Sequence, residues 1–427
     1  MTAKKHFIRN YLGLGTIRVL NIPLSIVISV ILARSLGPEG FGQYSFVMAL
    51  IPLLALPVNG GLPKLLTREI AGFVQQEKWG LYRGMMRTAF GWVVSLAVLL
   101  VCVIWAIAYF TDAMAEGSKW RLLPIAVLMI PVIGFNAVRS GTLKGLGLPF
   151  YSEVPVTIVQ PLFLLLTLAS LLFYQVLDPL HAVWAQVISY GATFVVSSWL
   201  FLKVQPSISR LHRPIYTRAK WARSLLPFTV LALVNTFNTK IGIFLLGMFS
   251  ADEQVAAMRV AERGGQFVTL SLTIVNLIIA PQIVRAFRDN NTSLLQKLAK
   301  QSARGGLLVA LPIAAVLVFF GEFIIRVVFG ESYLNITYGP MVILIIGQLV
   351  NVFFGSLAYL LTMSGHERDT LKGQIVAVIS NVLMCSVLIP MYGAMGAAIS
   401  VSISLIISNC LLARLVYIRL KVVPGAA

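Results

Sequence analysis

The chain is dominated by apolar runs of roughly 18–25 residues, the length at which an α-helix crosses the hydrocarbon core of a bilayer. Short polar segments separate the runs, and none shows the every-second-residue alternation over about ten positions that marks a barrel strand. Hydrophobic residues make up 58% of the 427 positions and charged residues 11%, against roughly 45–50% and 25% in soluble domains. A water-soluble fold of this length cannot hide so much apolar surface. The pattern predicts an all-α integral membrane protein with about twelve transmembrane helices. The spans fall at 11–33, 41–62, 85–110, 122–143, 154–174, 182–202, 225–249, 254–284, 306–329, 339–361, 373–390 and 394–417. Those at 85–110 and 254–284 are long enough to imply tilt or protrusion.

The opening MTAKKHFIRN before an apolar run is reminiscent of a secretory signal. It lacks an A-x-A-like cleavage site and runs on to Ala33, so it reads as a retained first helix. Cys102, Cys385 and Cys410 lie scattered in apolar segments, which argues against a disulfide framework or a metal site. A net charge of +19 would suggest nucleic acid in a soluble protein. In a membrane protein it reads instead as cytoplasmic Lys and Arg. With the N-terminus placed in the cytoplasm, 26 of the 34 Lys and Arg fall on inner segments, which fits an even number of spans and both termini inside.

The outer connections are short and often acidic, whereas the longest inner loop, VQPSISRLHRPIYTRAKWAR (204–223), is basic and lies near mid-chain. This predicts an N-terminal six-helix lobe (1–203), a basic cytoplasmic linker (204–223) and a C-terminal six-helix lobe (224–427), a common transporter plan. The same loop also suits a simpler role, enforcing topology and touching anionic headgroups.

Charges at membrane depth are costly and usually face protein or a water-filled cavity. In span 1, Arg18, Asn21, Ser25 and Ser29 recur at helical steps on one face. Span 7 carries Asn235, Asn238, Thr239 and Lys240. In span 8, Arg259, Glu262, Gln266, Thr269, Thr273 and Asn276 follow at steps of three and four, with Arg263 beside them. Polar side chains also stitch membrane helices together, at roughly 0.6 kcal/mol per bond. Arg259 and Arg263 lie near enough to the outer end to snorkel, and Glu262 can neutralise one of them. The cationic excess on three striped helices nevertheless suggests a wet central cavity that prefers an anion. The candidate substrate-contacting set is Arg18, Asn21, Asn235, Asn238, Lys240, Arg259, Glu262, Arg263 and Gln266.

GxxxxGK[ST], HExxH and GxSxG are missing. His6, His181, His212 and His366 lie far apart, and His366 in SGHERD reads as a solvated loop residue. The sequence thus predicts a transporter rather than an enzyme, with no cofactor, metal or nucleic acid. Its driving force would be an ion gradient, the membrane potential or substrate concentration.

LARSLGPEGFGQYSF resembles the LAR-x-LGPxxFGxY signature at the end of the first helix of polysaccharide and O-antigen flippases, within the multidrug/oligosaccharidyl-lipid/polysaccharide exporter superfamily. NGGLPKLLTREIA (59–71) is similar to that family's end of helix two. MSGHERDTLKGQIVAVISNVLMCSVLIPMYGAMGAAISVSIS (363–404) resembles its helix eleven–twelve block. LGMFSADEQVAAMRVAERGGQF resembles the turn between helices seven and eight, with VAAM (255–258) in place of the usual VGiY.

The resemblance implies two six-helix lobes around a central cavity with alternating access, in the bacterial inner membrane. It implies a substrate of undecaprenyl-pyrophosphate-linked oligosaccharide, such as an O-antigen repeat unit, moved from the cytoplasmic to the periplasmic leaflet. Membrane lipids, a polysaccharide polymerase and chain-length proteins would be its partners. In this family cationic cavities suit pyrophosphate and acidic sugars, a role open here to Arg18, Lys240, Arg259 and Arg263. The alternatives are an organic-cation exporter of the same superfamily, for which only Glu262 offers a carboxylate well within a span, and a peptidoglycan-precursor flippase, a branch that usually has fourteen helices. A membrane glycosyltransferase needs larger outer loops than this chain has.

Overall fold

The computed structural model describes residues 2–111, 118–206, 212–289 and 291–426; the side chains of 2–20, 22, 277, 278 and 281 are not among those described. Every regular element among the described residues is helical, and eight helices are long and apolar enough to cross a membrane. The count is nine if Lys119–Ala126 and Met129–Gly145, bent by 43°, form one span. Large apolar side chains such as Trp92, Leu99, Leu166, Leu308, Leu383 and Val387 stand exposed on these helices, as expected of surfaces that face lipid rather than water.

Contacts divide the chain into two compact units. One comprises Met1–Leu36 with Val47–Thr236, the other Gly37–Phe46 with Phe237–Ala427. The first unit contains most of α1 (Thr2–Leu54), α2 (Leu56–Asn59), α3 (Leu62–Gln75), α4 (Trp79–Phe110), α5 (Leu123–Ala126), α6 (Met129–Gly145), α7 (Pro149–Val154), α8 (Gln160–Phe173), α9 (Pro179–Val204) and the start of α10 (Arg218–Phe249). The second contains the rest of α10, α11 (Asp252–Arg288), α12 (Thr292–Phe319), α13 (Gly321–Val328), α14 (Leu334–Phe354), α15 (Leu357–Met363) and α16 (Glu367–Leu420). By contacts, the two units meet inside α10, between Thr236 and Phe237.

Several single spans read from the sequence are broken. The second stops at Ala55 and again at Gly60–Gly61, the ninth at Phe320 and the tenth at Gly355. Hydropathy cannot see such breaks, because the breaking residues are themselves apolar or small. Conversely, α16 runs 54 residues under one assignment, roughly 80 Å if straight at 1.5 Å per residue. It instead turns at Gly393 (φ 55°, ψ −128°), as α1 turns at Gly37 (φ 66°, ψ 178°), both in the left-handed region that favours glycine.

In the first unit, the end of the basic loop is bound along α4. Ile215 N donates to Gly80 O at 2.9 Å and Arg83 Nη1 to His212 O at 2.8 Å. A Cβ on Gly84 would stand 1.9 Å from Ile215 O, so this approach requires glycine. At the start of α8, Pro161 has no N–H to offer the carbonyl of Thr157. Asn21 Nδ2 supplies the missing donor at 2.7 Å.

In the second unit, Ile279, Ile283 and Ala286 of α11 cluster with Leu295 and Leu298 of α12, Leu357 and Leu361 of α15 and Leu412, Val416 and Leu420 of α16. Ala394, Gly396, Ala397, Ala398, Ser400, Ser402, Ser404 and Ser408 are buried along the second half of α16. Small residues of this kind let membrane helices approach closely where lipid gives no hydrophobic drive. Asp369, buried in the first turn of α16, accepts from Lys372 Nζ at 2.6 Å and from Arg419 Nε at 2.9 Å, tying the two ends of α16 together. His366 is half-buried, edge-on to Phe287 with ring centroids 6.3 Å apart, and not the solvated loop residue that its polar surroundings suggest.

Candidate functional site

α11 begins with Asp252 and Glu253 in its first turn, which suits the positive end of a helix dipole. Val260, Ala261, Val268 and Leu272 are buried on one side of the helix. The opposite side carries the polar stripe. Arg259 Nη1 meets Glu262 Oε2 at 3.0 Å, and one turn on Arg263 Nη1 donates to Gln266 Oε1 at 3.0 Å. Lys240 on α10 lies within electrostatic range of Arg259, Glu262 and Arg263, and Tyr44 within range of Arg263. Five of the sequence candidates are thus brought into one half-buried patch of the second unit, three cations against one carboxylate. An anion placed there relieves repulsion among the cations and gains the bidentate geometry that guanidinium offers to phosphate.

Further along α11 the hydroxyls turn inward to the helix itself. Thr269 Oγ1 donates to Gln266 O at 2.9 Å and Thr273 Oγ1 to Thr269 O at 3.2 Å, the local backbonding expected of Ser and Thr. Ser29 does the same to Ser25 O at 2.9 Å. Asn276 accepts from Ser356 Oγ across to the segment before α15. These members of the stripes stitch structure.

Asn238 Nδ2 donates to Gln374 O of α16 at 3.1 Å, again a helix-to-helix tie. Asn235, one turn earlier, is exposed. Asn21 belongs to the first unit, where its amide is committed to Thr157 O. The Arg18 side chain lies outside the described residues.

Two charged residues not singled out in the sequence are held at depth in the first unit. Glu153 pairs with Lys144 at 2.8 Å, its side chain largely covered. Arg139 is 8% exposed; its guanidinium lies 4.3 Å from the Phe194 ring centroid and 5.9 Å from that of Phe135, and Nη1 donates to Phe194 O at 3.2 Å. The available signal was position, since Arg139 stands four residues inside the end of its apolar run and not in the loop.

Residues 7–287 match the model of the family described as polysaccharide biosynthesis protein. A Haloferax volcanii protein named as a low-salt glycan biosynthesis flippase is 22% identical over 95% of this chain and 81% of its own length. A Shigella flexneri protein named as an O-antigen transporter is 22% identical over 91% of this chain and 92% of its own. These relatives are named as transporters and not as enzymes. Among solved structures, an inward-facing multidrug resistance transporter of the MATE family, in the MOP superfamily, superposes with a TM-score of 0.77 at 15% identity, covering 96% of this chain and 98% of that one. The lipid II flippase MurJ, in an inward closed conformation, gives 0.73 at 14% identity over 96% and 87%. At such identity the likeness is one of fold. The family model spans well over half of the sequence, and the chain, a multi-pass membrane protein with the fold of MOP-superfamily transporters, belongs to the polysaccharide biosynthesis protein family.

Proposed function

We propose that the protein is a flippase that carries an undecaprenyl-pyrophosphate-linked oligosaccharide from the cytoplasmic to the periplasmic leaflet of a bacterial inner membrane. In this reading about twelve spans form two six-helix lobes that alternate access to a cationic cavity. Both termini lie in the cytoplasm, and polysaccharide polymerase and chain-length proteins act on the product. The observation that carries the proposal is the patch of Lys240, Arg259 and Arg263 around the single carboxylate of Glu262. A polyprenyl tail can stay in lipid while the diphosphate and sugars need shielding, and dispersed guanidinium and ammonium groups hold a diphosphate without trapping it. The family match and the names of the relatives support the substrate class.

Organic-cation export is the second reading, favoured by the MATE-like fold. It is weakened because Glu262 is already paired with Arg259 at 3.0 Å and because the patch repels cations. In cells lacking the chromosomal copy, Lys240→Ala should lower surface polysaccharide about tenfold, the worth of one charge-assisted hydrogen bond. Lipid-linked repeat units should then accumulate in the inner leaflet while protein levels stay normal. Full surface polysaccharide with Lys240→Ala would contradict the assignment.

A further inference from the structure

A second basic site lies wholly within the first unit, on α4, α6 and α9. Tyr82, Arg83, Arg87, Arg139, Phe201 and Leu202 are among the walls of a cavity of about 380 Å³, and no carboxylate is among its lining residues. Arg139 uses one of its five donors on the Phe194 carbonyl and stacks the guanidinium face on aromatic rings. Arg83 reaches His212 O; Arg87 is exposed beside it. The Tyr82 side chain is fully buried and packs into the cavity wall beside Gln205. Three guanidiniums around one cavity, with no carboxylate among them, are what an oxyanion satisfies.

The rim says where that oxyanion comes from. Leu202 and its neighbour Trp199 are 59% exposed apolar residues on α9, and Lys203 Nζ sits 5.1 Å from the Trp199 ring centroid. An apolar lip with an aromatic–lysine pair is the pattern of a membrane interface. The site therefore opens to lipid at the Lys- and Arg-rich end of the unit. Its volume suits a phosphate-bearing headgroup and is too small for an oligosaccharide, since sites of about 300–1,000 Å³ hold single drug-sized molecules.

The geometry points to a binding site for the phosphate of an anionic glycerophospholipid, held by Arg83, Arg87 and Arg139 with the acyl chains leaving past Leu202. This is a resident lipid, distinct from the substrate proposed for the patch on α10 and α11.

The test uses the full chain purified in neutral detergent, with phosphatidylglycerol, phosphatidylcholine and glycerol 1-phosphate as probes. Retained lipid is counted by native mass spectrometry and affinity read from the rise in Tm with ligand concentration. Phosphatidylglycerol should bind one per protein and phosphatidylcholine should not. Arg87→Gln should weaken phosphatidylglycerol about tenfold, with the lipid-free Tm unchanged because Arg87 is exposed.

Equal binding of the two lipids, or full affinity in Arg87→Gln, would overturn the site. Glycerol 1-phosphate binding as tightly as phosphatidylglycerol, with the same loss in Arg87→Gln, would reassign it to a soluble phosphate. Loss of phosphatidylglycerol in Lys240→Ala would place the lipid in the substrate patch instead. None of these readouts depends on transport, so failure here and failure of the flippase reading remain distinguishable.

Discussion

Glu262 is held by Arg259 at 3.0 Å within one turn of α11, and that pairing decides what the carboxylate is for. In a cation exporter it would be the group that meets the substrate. Here it tempers a patch of three cations. Glu262→Gln should therefore keep glycan transport within about fivefold of wild type, as expected for a partly exposed pair worth roughly 1 kcal/mol or less. Complete loss of glycan transport in Glu262→Gln, with normal protein levels, would contradict this and make the carboxylate essential to the patch. Helical spacing exposed the α11 stripe in the sequence, because Arg259, Glu262, Arg263 and Gln266 are local to one helix. It also drew in Asn21, whose amide answers a carbonyl that Pro161 cannot serve. That need arises 136 residues away and has no local trace. Arg139 was hidden differently, since a charge at the edge of an apolar run counts toward topology until Phe135 and Phe194 are seen around it.

Two helices fold back on single glycines, and their surroundings differ. At Gly37 a Cβ would meet nothing within 4 Å, whereas at Gly393 it would stand 2.8 Å from Gln254 Oε1. That same oxygen accepts from Ala394 N at 3.0 Å, capping one of the orphan donors that open a helix after a break. Gly37→Ala should cost about 1–2 kcal/mol, the strain of a left-handed residue. Gly393→Ala should cost that and more, because Gln254 must also move and leave the Ala394 donor unsatisfied at about 1–3 kcal/mol. Thermal unfolding in a single detergent checks the order, and equal losses would contradict it. The turn at Gly37 was legible from GPEG, and the break near Gly393 from the span limits at 390 and 394. The breaks at Ala55, Phe320 and Gly355 were not, because they fall within predominantly apolar runs that carry only small residues or a lone Glu322 beside the break.

The chain distributes its chemistry over two compact units, with Gly37–Phe46 counted in the second although its flanks belong to the first. Membrane class and helical architecture were legible because lipid forces every spanning segment to satisfy its own backbone and to be apolar over a fixed length. The contact division inside α10 depends on which neighbours each half of that helix touches, a matter on which local composition is silent. The cationic patch of α10 and α11 lies in the second unit and the cavity lined by Arg83, Arg87 and Arg139 in the first, so the two are separable by mutation. The most direct measurement is movement of a labelled polyprenyl-diphosphate oligosaccharide across proteoliposomes containing wild type or the double variant Lys240→Ala, Arg263→Gln. Wild type should transfer it rapidly and the double variant about a hundredfold more slowly, two charge-assisted contacts each worth about tenfold, with an organic cation left untransported by both. Equal transfer by the two proteins, or uptake of the organic cation in place of the lipid-linked sugar, would contradict the flippase reading.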